Sequence, residues 1–410
     1  MNATRPVRLA VHIDQPLRHG GGYQQAMNVA FLVRQLPAEV STPLFVTTIA
    51  ENVAMLRSLG IEVAYFPFPL WRRIALDLRA LIRLPGLVRL VRRLLGGNSY
   101  EDFLTHLGVD LVYFASPSRF FRYLERLNYV FTVWDLCHLD DPEFPEVRND
   151  REFEDREAMY GHALTKAVAV LVDSGLGKRN VVRRYGVDDS RVHVMPFAPA
   201  VGTQISEVEY AAGFINIKSR YGLDMDYVFY PAQFWAHKNH VYLLHGLNIL
   251  EKYHGIRLAA VFAGSDRDGN MEYLKRVARE LGLFDRIRFA GFVPNEEIPY
   301  LYKQSVALVM PSYFGPTNLP PLEAFSLGVP VLYPDKQGLK EQVGDAALLM
   351  DLHDPASMAR HLANILAEPE LRNTLVARGR EKLGKLSAEG QVLCLANILG
   401  DFQVRRACWA

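Results

Sequence analysis

The feature that most constrains this chain is a rhythm. Short, nearly continuous apolar runs alternate with longer amphipathic stretches. In the first half the runs are "VRLAVHI" (7–13), "TPLFVTT" (42–48), "DLVYFAS" (110–116), "YVFTVW" (129–134), "VAVLVD" (168–173) and "VHVMPF" (192–197). In the second they are "YVFYPA" (227–232), "LAAVFAG" (258–264), "RIRFAGF" (286–292), "VALVMPS" (306–312) and "VPVLYP" (329–334). Runs apolar at successive positions, not at alternate ones, suit parallel strands covered on both faces. Their alternation with helical stretches predicts two α/β units of Rossmann type. The length agrees, because 410 residues exceed the ~250–300 at which one core stops growing. The seam is expected between Phe197 and Tyr227, where no strong strand run occurs. That gives a first domain over 1–200, a second over 201–387, and a helical tail over about 388–410 with apolar spacing at Val392, Leu395 and Leu399. Parallel α/β sheets bind ligands at the carboxyl ends of their strands, and two facing units make a cleft there.

Composition excludes several classes. Hydrophobic residues make up 50% and charged residues 22%, which is globular and not disordered. Cys137, Cys394 and Cys408 have neither paired nor metal-type spacing, so a reducing compartment is expected. The N-terminus lacks a signal-type apolar segment, and no uncharged apolar stretch of ~18 residues appears. A cytoplasmic protein is expected, peripheral on the inner membrane face if membrane-bound at all.

The net charge of +1 hides an asymmetry, because residues 71–95 hold seven arginines and one aspartate. Arg72, Arg79 and Arg83 share one helical face, and Pro85-Gly86 should divide the helix. Such a segment either docks on an anionic membrane or is a surface helix with arginines outward and leucines in the core. Its interleaved leucines do not suit nucleic acid.

Four stretches carry candidate chemistry. "HGGGYQQAMNVAFLVRQL" (19–36) follows the first run, and its glycines permit close backbone approach at a helix N-terminus. It does not match the dinucleotide fingerprint, and a turn with no ligand fits it too. In "YPAQFWAHKNHVYLLHGL" (230–247), Lys238 at the helix entrance could neutralise a diphosphate, or be merely an exposed lysine. In "GPTNLPPLEAF" (315–325), Thr317 or Asn318 could cap a helix, with the N–H groups of Asn318 and Leu319 turned to an anion. Pro320 and Pro321 suit a first turn, and Glu323 is expected within it. There it could hold vicinal hydroxyls or complement the helix dipole. "FTVWDLCHLDDPEFPE" (131–146) puts Asp135 and His138 just past a strand end, and its prolines argue for a loop, not a metal cage.

Taken in series, these stretches, with "VFAGSDRDG" and "RIRFAGFVPNEEIPYLYKQSVALVMPS", resemble the retaining nucleotide-sugar glycosyltransferases of family 4, which have the GT-B fold. Within that family the likeness is to bacterial O-antigen and polysaccharide mannosyltransferases. The resemblance implies Lys238 on the donor diphosphate, Gly291 to Val293 (with Phe292) beside the base, and Glu323 on the ribose. It implies Thr317, Asn318 and Leu319 on phosphate and hexose, and Gly21 and Gly22 approaching from the acceptor side. Asp135 would orient hexose or acceptor. It also implies that no metal or other cofactor is needed, and that the C-terminal helix packs back on the first domain. The chain departs from the family at three places. Gly315 stands where an acid is usual, eight positions before Glu323. Gln233 and His237 occupy places where a base often accompanies the lysine, and Trp134 stands where a histidine is frequent.

The expected activity is retaining transfer of a hexose, foremost mannose from GDP-mannose, to a lipid-linked or polysaccharide glycan in surface polysaccharide (O-antigen) biosynthesis. The alternatives are a nucleotide-sugar epimerase or hydrolase, and a non-catalytic nucleotide-sugar-binding subunit of a glycan assembly complex.

Overall fold

The computed structural model describes residues 5–17, 21–81, 98–199, 205–315, 317–386 and 388–409. Every expected run contains a strand. In the first half these are β1 (Val7–Ile13), β2 (Ser41–Thr47), β4 (Leu111–Phe114), β5 (Asn128–Val133), β6 (Ala169–Val172) and β7 (Val192–Val194). In the second they are β8 (Tyr227–Pro231), β9 (Ala259–Ala263), β10 (Ile287–Gly291), β11 (Leu308–Val309) and β12 (Val331–Pro334). Two further strands, β3 (Val63–Tyr65) and β13 (Leu348–Met350), add an edge to each sheet.

The first sheet runs β3-β2-β1-β4-β5-β6-β7 and the second β10-β9-β8-β11-β12-β13, with all neighbours parallel. The winding direction reverses between β1 and β4 in one sheet, and between β8 and β11 in the other. Those reversals leave open the crevices that open α/β sheets use for ligands. The apolar runs are buried as their composition requires: Leu9, Val11, Tyr113, Val130 and Leu171 in one core, and Tyr227 to Tyr230, Ala259 to Phe262 and Leu332 in the other.

The chain divides into two compact units. One comprises Met1–Trp134, Asp155–Pro196 and Ala388–Ala410; the other comprises Asp135–Glu154 and Phe197–Ser387. The C-terminal helix Ala388–Arg406 buries Leu395, Ile398, Leu399 and Phe402 in the first unit's core. Burial of side chains this size contributes roughly 1.5–3 kcal/mol each. Arg406 anchors the helix end to Asp110 at 2.7 Å. In the second unit, the segment 135–154 is fixed by Glu146 against His237, by Asp141 on Lys336, and by Phe144 packed on Tyr313 and Phe314.

The helix Leu70–Leu81 is the part of the basic segment that lies within the described residues. Two of its arginines engage the protein, Arg79 paired with Glu125 at 2.8 Å and Arg72 over the Phe66 ring, while the Arg73 side chain is 59% exposed. Its apolar side faces solvent, with Leu70 71%, Trp71 65%, Ile74 50% and Leu78 50% exposed. Arg83 and Pro85-Gly86 lie outside the described residues.

Candidate functional site

The second sheet's crevice is flanked by the loops that follow β8 and β11. After β8 the chain makes a short turn, Ala236–Lys238, and passes through Asn239 at a left-handed φ of 53° into the helix His240–His254. This brings Lys238 Nζ within 3.2 Å of Asn318 Oδ1, from the loop after β11. The lysine is largely buried, and its neighbour there is a neutral amide. Desolvation lowers its pKa to about 8, against the opposing pull of Asp135, Cys137 and Glu146.

Asn318 precedes the helix Leu319–Ser326, but its side chain does not cap it. The amide nitrogen donates instead to Gly315 O and to Tyr333 Oη, at 2.7 Å each. Nor is its backbone N–H turned to an anion, since it donates to Gln342 Oε1 at 2.9 Å. With Pro320 and Pro321 next in line, Leu319 keeps the first free-ended N–H of this helix. The helix terminus therefore offers an anion less than the sequence suggested, and cationic side chains matter more. Thr317 is partly buried and Leu319 buried.

Glu323 is the fifth helical residue and lies beyond the first turn, so it does not complement the dipole as a first-turn acid would. It turns into the protein, where Tyr302 Oη donates to its Oε2 at 2.7 Å. Burial pushes its pKa up to about 7, although the tyrosine bond pulls the other way.

Neither position that lacks the family's base supplies charge. His237 is buried, stacked on Phe314 with ring centroids 3.7 Å apart, and its ring donates to Glu146. Desolvation and the nearby Lys238 depress its pKa to about 4, so it is neutral. Gln233 Oε1 accepts from Trp235 Nε1 at 2.9 Å and from Arg267 Nε at 3.3 Å. Asp135 belongs to this second unit, accepts from Cys137 N at 3.1 Å, and acts on Lys238 through its field. On the β10 side, Phe292 is 63% exposed beside buried Val293.

In the first unit, Gly21 and Gly22 open the helix Gly21–Val33 and do not form a turn ahead of it. A Cβ at Gly22 would stand 2.7 Å from Gln15 Oε1, the tip of a side chain that would have to shift, and in ordinary contact with the Trp134 ring at 3.4 Å. Gly20 lies outside the described residues. At the β1/β4 reversal, Asp14 accepts from the hydroxyls of Ser116 and Ser118. Buried His12 bonds Tyr100 Oη through Nδ1 at 2.9 Å, with Nε2 3.8 Å from Asp14.

Of the residues the sequence pointed to, the fold sets Lys238 against Asn318 and puts Glu323 on the helix that follows Asn318. Sequence reasoning missed Tyr302, Gln342, Glu146 and Arg267, which reach the same place from distant segments. The only local sign was Gly264 in "VFAGSDRDG": a Cβ there would meet Ala232 O at 2.3 Å, so glycine marks a close crossing of two loops.

Residues 216–382, which include Lys238, Arg267 and Glu323, match the family described as "Glycosyl transferases group 1". The O-antigen chain mannosyltransferase B of Escherichia coli is 32% identical over 301 residues, covering 71% of this chain and 72% of that protein. The serotype-specific mannosyltransferase WbdA of Escherichia coli is 25% identical over 254 residues, which are 61% of this chain and 30% of WbdA. Among solved structures, Anabaena Alr3699/HepE in complex with UDP and glucose matches with a TM-score of 0.71 at 17% identity, over 96% of this chain and 100% of that one.

Proposed function

The chain belongs to the group 1 glycosyltransferases and has their GT-B fold, and from that premise we propose that it transfers mannose from GDP-mannose, with retention of configuration, to a lipid-linked or polysaccharide glycan acceptor in O-antigen-type biosynthesis. Mannosyltransferase activity is the named property of the two relatives described above, which match 71% and 61% of this chain. The observation that carries the reading is Lys238, a partly desolvated cation held against the amide of Asn318 at the reversal between β8 and β11.

As the bond from the sugar's anomeric carbon to the diphosphate oxygen breaks, the sugar takes on oxocarbenium character and the diphosphate gains negative charge. Lys238 stabilises that charge in a water-poor setting, where a fixed cation counts for more than in bulk solvent. The acceptor hydroxyl adds to the same face of the sugar, and its proton passes to the departing diphosphate. No enzyme nucleophile takes part. Glu323 receives the ribose hydroxyls, while Phe292 and Val293 border the base. Thr317, Asn318 and Leu319 line the phosphate and hexose. Gln233 and His237 act as neutral donor-side neighbours. Asp135 orients the hexose, and Gly21 and Gly22 bring backbone close on the acceptor side. In this reading the diphosphate charge is met by side chains and no metal or other cofactor enters.

No helix among the described residues is long and apolar enough to cross a membrane. A lipid-linked acceptor is instead met at the cytoplasmic membrane surface, through the outward apolar side of the helix Leu70–Leu81.

A transfer and hydrolysis screen with GDP-mannose, UDP-glucose, UDP-galactose and UDP-N-acetylglucosamine tests the donor, and proton NMR of the product tests the configuration. Consumption of GDP-mannose above the others, with an α-linked product, is expected. Preference for a UDP-sugar, or a β-linked product, would overturn the corresponding part.

A further inference from the structure

We infer that Arg267 is the second cation of the donor site, a phosphate ligand that supplies the charge Gln233 and His237 do not. The inference rests on the reading that the second unit takes a nucleoside diphosphate sugar. A diphosphate carries more negative charge than Lys238 alone can match, and the neighbouring helix gives little help: Asn318 N–H is engaged by Gln342, and two prolines follow Leu319.

The fold brings Arg267 to this place by a backbone crossing. Gly264, directly after β9, lies so close to the end of β8 that a Cβ would fall 2.3 Å from Ala232 O and 2.7 Å from Gln233 N. Phe234 N then donates to Ser265 O at 3.1 Å, and Gly264 N donates to Gly291 O at 2.8 Å. The loop after β9 is thereby fastened to the loop that leads from Gln233 to Lys238, and to the end of β10 beside Phe292. Asp266 Oδ1 accepts from the backbone N–H groups of Arg267 and Met271, which shapes the turn. From this turn the guanidinium lies over the Trp235 ring, 5.0 Å from its centroid, with Nε on Gln233 Oε1 at 3.3 Å.

Both of those partners are neutral, so they orient the guanidinium without neutralising it. Nε is engaged by the amide, which leaves the terminal N–H groups as the fork that binds phosphate oxygens in pairs. The glutamine at 233 thus serves as the rest for an arginine delivered by another loop.

Isothermal titration of the full chain with GDP, at low and at high salt, tests the assignment. Arg267→Gln should weaken GDP binding about 10-fold at low salt, the size of a lost charge-assisted hydrogen-bonded contact, and should flatten the salt dependence. Arg267→Lys should lose less. Gln233→Arg placed in the Arg267→Gln chain should recover most of the affinity, because it returns a cation to the same spot. A role confined to packing on Trp235 would not be rescued that way. The inference is overturned if Arg267→Gln binds GDP like the wild type while Lys238→Ala does not, or if Gln233→Arg gives no recovery. If the wild type binds UDP and not GDP, the same series is read with UDP. Binding of neither by the wild type would overturn the nucleotide reading itself, and this inference with it.

Discussion

Tyr302 Oη donates to Glu323 Oε2 at 2.7 Å, across two segments that both lie in the second unit's core. That bond favours the carboxylate, while burial favours the acid and prevails, leaving the group near pH 7. Lys238, also shifted chiefly by burial, loses its proton near pH 8. In the proposed site the carboxylate meets the donor's ribose and the ammonium its diphosphate. GDP affinity should therefore rise as pH climbs through about 7 and fall again through about 8. Titration calorimetry between pH 5.5 and 9.5 in overlapping buffers (a range chosen to bracket both values) would show it, and Glu323→Gln should abolish the acid limb alone. A flat profile for the wild type would remove both groups from the donor site.

The same burial affects stability. The folded chain holds the Glu323 proton more tightly than the unfolded chain, whose value lies near the ordinary 4.5. Its contribution is full below that value and is lost as pH rises through about 7. Glu323→Gln keeps the shape and the tyrosine bond without the charge, so it should stabilise the protein at pH 8 by about 3 kcal/mol and change little at pH 4. Urea melts at the two pH values decide it, and equal effects at both would mean that the carboxylate is not disfavoured by its surroundings.

Lys238→Ala and Glu323→Ala should each lower turnover by at least ~100-fold, as expected when a contact to developing charge or to the substrate's fixing group is lost. The two should differ in kind. Lys238→Ala acts on the leaving group and should depress kcat, whereas Glu323→Ala acts on the ribose and should raise KM as well. Near-normal turnover of both purified variants would move the site elsewhere.

Gly315, the departure from an acidic residue, is tied to its backbone. It has φ +101°, and a Cβ would stand 2.8 Å from Asn318 Oδ1 and 3.0 Å from Nδ2. Its carbonyl holds the same amide at 2.7 Å. A side chain at 315 would strain the turn and push Asn318 away from Lys238. Gly315→Ala and Gly315→Glu should accordingly weaken GDP binding to a similar extent. Tighter binding by Gly315→Glu alone would show that the position tolerates an acid and that the backbone does not decide it.

The sequence was most legible where local pattern and fold agree. Every long apolar run became a strand because a parallel strand buried on both faces leaves an unbroken signature. The edge strands Val63–Tyr65 and Leu348–Met350 escaped notice, since three residues carry no period. That Lys238 and Asn318 fall on loops after parallel strands was legible from the order of runs and turns. What the side chains do there was not legible. The capping role expected of Asn318 was displaced by Gly315 O and Tyr333, which only the folded loop brings within reach. His237 is kept neutral by burial and by Lys238, against the pull of Glu146, which lies 91 residues away. Arg267 reaches Gln233 across 34 residues, through a crossing that one glycine permits. Spacing in a sequence encodes none of these meetings.

The helix Leu70–Leu81 yields the last prediction. Of its described arginines, Arg79 is held by Glu125 and Arg72 lies over Phe66, which leaves Arg73 outward. The large apolar residues turned to solvent are Leu70, Trp71, Ile74 and Leu78, which at 100° per residue span a single arc about 100° wide. An arc of that kind, with an exposed tryptophan at its margin, inserts shallowly among lipid headgroups, and its binding scales with the apolar area buried. Sedimentation with vesicles should therefore depend on these side chains more than on Arg72 and Arg79. Changing Trp71, Ile74 and Leu78 to serine together should lower the bound fraction at least ~10-fold on the apolar area removed, whereas Arg72→Gln should lower it only modestly and mainly at low salt. The ion pair gives an internal control: Arg79→Gln should loosen the helix and lower the melting temperature without selectively reducing vesicle binding. If the serine triple variant sediments like the wild type, this face does not meet the membrane, and the lipid-linked acceptor must be reached another way.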